Sequence, residues 1–342
     1  MKTKGVCYDV GREMLGRNWR PRFDRRVVHR ELEIIRDDLH CNAVRIQGRD
    51  LDRLAVAAED ALRQGLDVWF SPELWDHTPD ETRAYVAGGA RRAEELRAQW
   101  PGHVVFSVGS EVTLFTQGFL PGNNVLERLA HPSLWETLRA GAHNPPLNAF
   151  LAATTAEVRE VFHGSVTYAS VGLETVDWSP FDIVGVDLYR DGRAREMYPR
   201  LIERYRRLGK PVANMEFGCC TFQGAEDLGG RGWEIIDWSQ TPPQLKGPYV
   251  YDQSSQAREV AELLRINDEA GVDATFVFTF EDQAGVEDAG RELIRQLPFD
   301  FDIARYGLVK MHLDERPGSV YPDMPWEPKA AFRAVADYYA AH

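Results

Sequence analysis

Eight short apolar runs recur along the 342-residue chain, each followed by a longer polar or amphipathic stretch, and this alternation constrains the fold more than any other feature. The runs are Gly5–Asp9, Ala43–Gln47, Asp67–Pro72, Val104–Gly109, Val166–Ser170, Ile183–Leu188, Val212–Phe217 and Thr275–Phe280. Most are nearly continuous in apolar residues, as strands must be when helices cover both faces of a parallel sheet. Strand and helix alternating in this way mark βα units. Helical segments fit between the runs. Asp24–Leu39 places Val27, Val28, Leu32, Ile35 and Leu39 on one face. Asp50–Gln64 opens on an acid able to accept from first-turn amides and stops before Gly65. Thr78–Gln99 begins Thr-Pro-Asp-Glu, a capping box with proline in the first turn. Leu147–Phe162, Arg193–Leu208, Ser254–Ala270 and Pro328–Tyr339 complete the set. Eight such units predict an α/β chain closed into a (β/α)8 TIM barrel. An open doubly wound sheet is the competing arrangement, but no GxGxxG follows the first strand and no P-loop occurs. Without an internal repeat, low-complexity tract or linker, one barrel domain over residues 1–342 is the simplest account.

Charge and cysteine usage narrow the function classes. A formal net charge of -13 argues against a nucleic-acid partner, which needs a basic stripe, and against docking on an anionic membrane. The first residues, MKTKGVCYDV, carry lysines but no apolar stretch of the kind a signal peptide needs, and no run is long enough to span a bilayer. The expected location is therefore cytoplasmic, and the expected partner a small molecule or carbohydrate. Cys7, Cys41, Cys219 and Cys220 show no CxxC or zinc-type spacing and read as four thiols.

Three segments are too long to be simple connections: Val112–Pro146, Cys219–Asp252 and Asp282–Pro325. Each follows a strand, so each belongs to the C-terminal face of a barrel, where the loops build active sites. The residues at the strand ends then face that site. In order they are Tyr8 and Asp9, Arg45 and Gln47, Glu73, Glu111, Asp187 and Tyr189, Glu216, and Glu281 with Asp282. Acids at six of eight strand ends exceed what a solvated rim needs. Like charges so close raise one another's pKa, which suits a protonated acid working beside an ionised base or nucleophile. Capping of the next helix, or pairing with arginine, accounts equally well for Glu73, Asp187 and Asp282 taken singly.

Glu111 and Glu216 stand apart, because HVVFSVGSEV and KPVANMEFG each deliver a glutamate at the end of a buried strand, the fourth and the seventh. Those strands lie roughly opposite across a barrel, and two such carboxyls can flank one bond. Here the sequence resembles the superfamily of (β/α)8 glycoside hydrolases with an acid/base on strand four and a nucleophile on strand seven. CNAVRIQG is similar to that group's second-strand NxVRI pattern, which makes Arg45 the arginine supporting the nucleophile. FSVGSE resembles the fourth-strand GNE pattern, ANMEFG the seventh-strand pattern, and Tyr189 in DIVGVDLY the aromatic hydroxyl that bonds the nucleophile. The resemblance implies a retaining hydrolase without a cofactor, acting on a small intracellular glycoside or oligosaccharide, with Glu111 as acid/base and Glu216 as nucleophile. The run EFGCCTFQGAEDLGGRGWEIID also resembles a bacterial group labelled abortive-infection proteins, a label that implies no mechanism.

Two departures bear on the sugar assignment. Ser110 stands where the family has asparagine, and the last strand ends FTFED without the usual tryptophan. Trp75 and Trp233 are the expected stacking residues for a ligand, with Trp19, Trp178, Trp238 and Phe115 as further wall candidates. Asp9, Gln47, Glu73, Asp187 and Glu281 complete the expected substrate contacts. Cys219 has no well-placed histidine to activate it, and no HxH or HExxH metal motif occurs. An oxygen-only cation site from Asp9, Glu73, Glu111 and Glu281 stays open, and with it a lyase, isomerase or cyclase. A non-catalytic defence or sensing protein on the same fold is the third reading.

Overall fold

The computed structural model describes residues 1–282 and 288–342, so part of the third long loop, 283–287, lies outside the described residues. Eight parallel strands close a barrel: β1 (Thr3–Asp9), β2 (Ala43–Gly48), β3 (Asp67–Pro72), β4 (Val104–Ser110), β5 (Ser165–Val171), β6 (Val184–Asp187), β7 (Val212–Phe217) and β8 (Ala274–Val277). Each strand pairs with its chain neighbours, and β8 closes on β1 with Gly5 opposite Phe276. Seven principal helices surround it: α1 (Arg25–Asp37), α2 (Leu51–Arg63), α3 (Pro79–Gln99), α4 (Asn144–Arg159), α5 (Tyr198–Arg206), α6 (Gln253–Glu269) and α7 (Ala330–Ala341). The passage from β5 to β6 contains no helix and runs through Trp178 and Phe181, whose rings cover that side of the barrel.

Local chemistry explains the helix starts. Asp24 accepts from the Arg26 amide and Asp50 from those of Asp52 and Arg53. Thr78 and Glu81 form the reciprocal box. Such a cap contributes about 1 kcal/mol. The α1 face carries Val28, Leu32 and Ile35, all buried in the large cluster between helices and barrel.

The strands' period of two divides their residues between that cluster and the barrel interior. Cys7, Ala43, Trp69, Ala169, Ala213, Met215 and Phe276 fill the lower interior. Many are small, which leaves room above them for the long side chains of Arg45 and Gln47 on β2. The same alternation turns Tyr8 outward, where its hydroxyl donates to Glu31. Tyr8 therefore does not face the mouth.

Candidate active site

Both glutamates singled out by their strand ends arrive through a slip in strand register. On β4, Ser107 is opposite Thr167 but Ser110 is opposite Ala169, so β4 carries one extra residue. Gly109, at φ +156 and with Val112 crowding the space where a Cβ would sit, lies in that extra turn. On β7, Asn214 and Glu216 stand opposite Val186 and Asp187, again one residue too many. Asn214 faces outward to Tyr198, while Met215 lies inside and Glu216 is brought to the same side. A bulge re-aims the side chain that follows it and is common beside active sites.

The two carboxyls then meet opposite surroundings. Glu216 Oε1 accepts from Arg45 Nη1 at 2.9 Å and Gln47 Nε2 at 2.7 Å, and Oε2 accepts from the Tyr189 hydroxyl at 3.2 Å. Arg45 is 0% exposed and also donates to the Met215 carbonyl, Ser71 Oγ and Asp187 Oδ1. Gln47 Nε2 reaches Glu73 as well, at 2.9 Å. Glu111 is half-buried, and among the described residues no side-chain donor reaches its carboxyl. Its backbone is pinned instead: its amide donates to the Ala169 carbonyl, that of Val112 to the Tyr168 hydroxyl and that of Thr113 to Glu174. This holds Glu111 at φ 47, ψ 44, a left-handed conformation that costs a non-glycine residue about 1–2 kcal/mol. Burial, then the neighbouring charges of Asp187, Glu216 and Glu174, push the Glu111 carboxyl well above the usual carboxylate range, against a pull from Arg45.

Asp187 links the two. Its Oδ2 accepts from Ser110 Oγ at 2.9 Å and its Oδ1 from Arg45 at 3.3 Å, while burial and then Glu216 push its own carboxyl well up. Ser110 thus holds Asp187. Burial also raises Glu73, with Arg12 and Arg45 pulling the other way. Four buried polar atoms on this wall, Arg45 Nη2, Gln47 Oε1, Glu73 Oε2 and Trp75 Nε1, have no hydrogen-bond partner within the described protein.

Arg45, Gln47, Glu73, Asp187 and Tyr189 are thus brought together with Glu216. Trp75 stacks on Phe115 at 4.1 Å and meets Trp19 edge-on at 5.2 Å, forming the expected aromatic wall. Asp9 is turned to its own loop, accepting from the Gly11 and Arg12 amides and from Arg12 Nε at 2.7 Å. Glu281 sits 3.3 Å from Arg20 in a buried cluster with Glu31. Trp233 stands on the surface, 38% exposed, with no ring contact to the cluster. Trp178 packs on Tyr168 and Phe181 outside the barrel and forms no mouth wall, and Trp238 packs on Phe301 of the last loop. Among the described residues no group of three or more His, Cys, Asp or Glu gathers as metal ligands do, because Asp9 and Glu281 each face an arginine. All four cysteines are buried thiols, and burial raises Cys219.

Three mouth residues escaped the strand-end rule. Phe278, just past β8, meets Tyr189 edge-on at 6.2 Å. Tyr306, from the last loop, packs on both rings and donates to the Gly229 carbonyl at 2.7 Å. The seventh loop needs glycine where it passes closest, since a Cβ at Gly230 would lie 3.1 Å from the Tyr189 ring. The third is Arg12, which the first loop folds over Trp19.

No known family profile matches the sequence, and neither does any curated protein. Solved structures do match in fold. A GH113 β-1,4-mannanase aligns over 100% of both chains with a TM-score of 0.62 at 15% identity. The GH113 β-mannanase of Alicyclobacillus acidocaldarius covers 99% of this chain and 97% of its own, with a TM-score of 0.59 at 18% identity. A β-glucuronidase from Ruminococcus gnavus, in complex with D-glucuronic acid, covers 99% of this chain but 49% of its own, with a TM-score of 0.56 at 14% identity. The chain has the (β/α)8 barrel of these glycoside hydrolases. None of these neighbours supports the resemblance to abortive-infection proteins. Among the described residues no helix is long and apolar enough to cross a membrane.

Proposed function

We propose that the protein is a retaining glycosidase acting on a small glycoside or oligosaccharide, with Glu111 as acid/base and Glu216 as nucleophile. The observation that carries this reading is the contrast between the two carboxyls in one mouth. Glu216 accepts hydrogen bonds from Arg45, Gln47 and Tyr189, while among the described residues no side-chain donor reaches Glu111, whose carboxyl is pushed toward its protonated form. A raised carboxyl beside one fixed by donors suits a division into proton donor and nucleophile.

In the first step a Glu216 oxygen attacks the anomeric carbon as the glycosidic bond breaks. Glu111 gives its proton to the departing oxygen, leaving a glycosyl ester on Glu216 and a carboxylate at Glu111. In the second, Glu111 takes a proton from water, whose oxygen displaces Glu216 from the anomeric carbon. The sugar leaves with its configuration retained, and Glu216 is again a carboxylate. Arg45, Gln47 and Tyr189 hold the nucleophile and accept its changing charge. The glycoside hydrolases that share the fold support this chemistry; they do not choose the sugar. The reading requires carboxyl groups about 5–5.5 Å apart.

A screen of aryl glycosides with the wild type, Glu111→Gln and Glu216→Gln tests it. Turnover by the wild type that both substitutions abolish is the expected result. Folded wild-type protein inactive on every sugar, or turnover that survives in both variants, overturns it.

A further inference from the structure

Arg12 has a guanidinium that the fold only half uses. The first loop forms a small hairpin, Glu13–Met14 against Arg17–Asn18, and the Trp19 amide donates to the Arg12 carbonyl at 2.8 Å. This clip sets the Arg12 guanidinium 4.6 Å from the centre of the Trp19 ring, 5.0 Å from Phe278 and 5.6 Å from Trp75. Arg12 is only 5% exposed. Its Nε is committed to Asp9 Oδ2 at 2.7 Å. Among the described residues neither terminal nitrogen has an acceptor, and neither is among the polar atoms sealed from solvent. Burial works against its charge, but Asp9, Glu73 and Glu216 hold Arg12 above the ordinary guanidinium value, which places it within electrostatic reach of the proposed nucleophile.

A desolvated cation beside three aromatic rings, with two outer amino groups that no acceptor among the described residues engages, is built to receive a charged acceptor. We propose that Arg12 binds the carboxylate of a uronic acid, so that the substrate is a glycosiduronate; this rests on the glycosidase reading above. The two outer nitrogens form a planar fork that matches the two oxygens of one carboxylate. Asp9 already balances the Arg12 charge once, and the surrounding acids oppose further negative charge, so a monoanion fits this place better than a phosphate dianion. Trp19, Trp75 and Phe278 exclude water around the pair, which strengthens each charged hydrogen bond.

The test compares 4-nitrophenyl β-D-glucuronide, β-D-glucoside and its 6-phosphate on the full-length wild type, Arg12→Met and Arg12→Lys. The glucuronide and glucoside differ only at C6. The expected kcat/KM for the glucuronide is at least ~10-fold that for the glucoside, and Arg12→Met lowers that ratio about 100-fold, the worth of a bidentate charged pair. Arg12→Lys restores less than half of the lost ratio on a logarithmic scale, because it returns the charge without the fork. Hydrolysis of the glucoside without preference for the glucuronide overturns this inference and leaves the glycosidase reading intact. Preference for the 6-phosphate overturns the carboxylate assignment. No turnover of any glycoside overturns the glycosidase reading, and tryptophan fluorescence then decides the site by itself. Saturable binding of D-glucuronate but not D-glucose, lost in Arg12→Met, supports it, and equal or absent binding of both overturns it.

Discussion

The ends of β4 and β7 differ in how they present a carboxyl, although both do so through one inserted residue. At β7 the side chain is gripped: Arg45, Gln47 and Tyr189 all donate to Glu216. At β4 the backbone is gripped: three consecutive amides are tied down, and Glu111 sits in a left-handed conformation with no side-chain donor at its carboxyl among the described residues. A nucleophile needs fixed position and matched charge, and an acid needs a proton it can release, so on the proposed roles the same strand-end device would serve opposite ends.

Replacing each glutamate should break this contrast most visibly in turnover. With an activated aryl leaving group, Glu216→Ala is expected to lose about 10⁴-fold or more in kcat, since no covalent intermediate forms. Glu111→Ala should lose about 10²–10⁴-fold, and less as the leaving group improves. Azide should rescue both, giving the inverted glycosyl azide from Glu216→Ala and the retained one from Glu111→Ala, read by proton NMR. The same anomer from both would collapse the distinction.

Stability should separate the two in opposite directions. Glu111 is raised in the folded state, so its ionisation costs stability once pH rises above its ordinary value of 4.5, and the full cost is present above the folded value. Glu111→Gln removes that cost: melting at pH 7 should rise by about 2–4 °C, and the gain should vanish below about pH 4. Glu216→Gln leaves the buried Arg45 with a weaker partner and should cost about 1–3 kcal/mol at pH 7. Two destabilised variants would contradict the environments described for them.

Asp187 sharpens the comparison, as the first of the charges that raise Glu111. Asp187→Asn removes one negative neighbour, so the Glu111 proton leaves at lower pH. The alkaline limb of the kcat/KM profile should then move down by about 0.5–1 pH unit. A limb that stays in place would mean that Asp187 does not set it. Tyr189→Phe is expected to have the smallest effect, about 10-fold in kcat, for loss of one hydrogen bond to Glu216.

Much of this was legible in the sequence, for a physical reason. Buried parallel strands are continuous apolar runs, so all eight were visible, and Glu111, Glu216, Arg45, Gln47, Glu73, Asp187 and Tyr189 followed from where those runs turn polar. The end of β8 shows where the rule weakens. The apolar run continues to Phe280 and the Phe280 amide still bonds the Cys7 carbonyl, yet the regular strand stops at Val277. Phe278, one residue past that point, meets Tyr189 and Tyr306, which the strand-end rule does not foresee. Arg12 was invisible for another reason: its place depends on a two-residue hairpin and on rings from distant segments. Trp178 misled in the opposite sense, since it carries the same composition signal as Trp75 but packs on Tyr168 and Phe181.

The central claim is that Glu216 forms the covalent bond and Glu111 moves the proton. Its most direct test treats the protein with 2,4-dinitrophenyl 2-deoxy-2-fluoro-β-glycosides, the glucuronide among them, followed by intact-mass and peptide-mass analysis. The account predicts one added glycosyl group, located on Glu216 and absent from Glu216→Gln. A label on any other residue, or turnover with inverted configuration and no adduct, would contradict it.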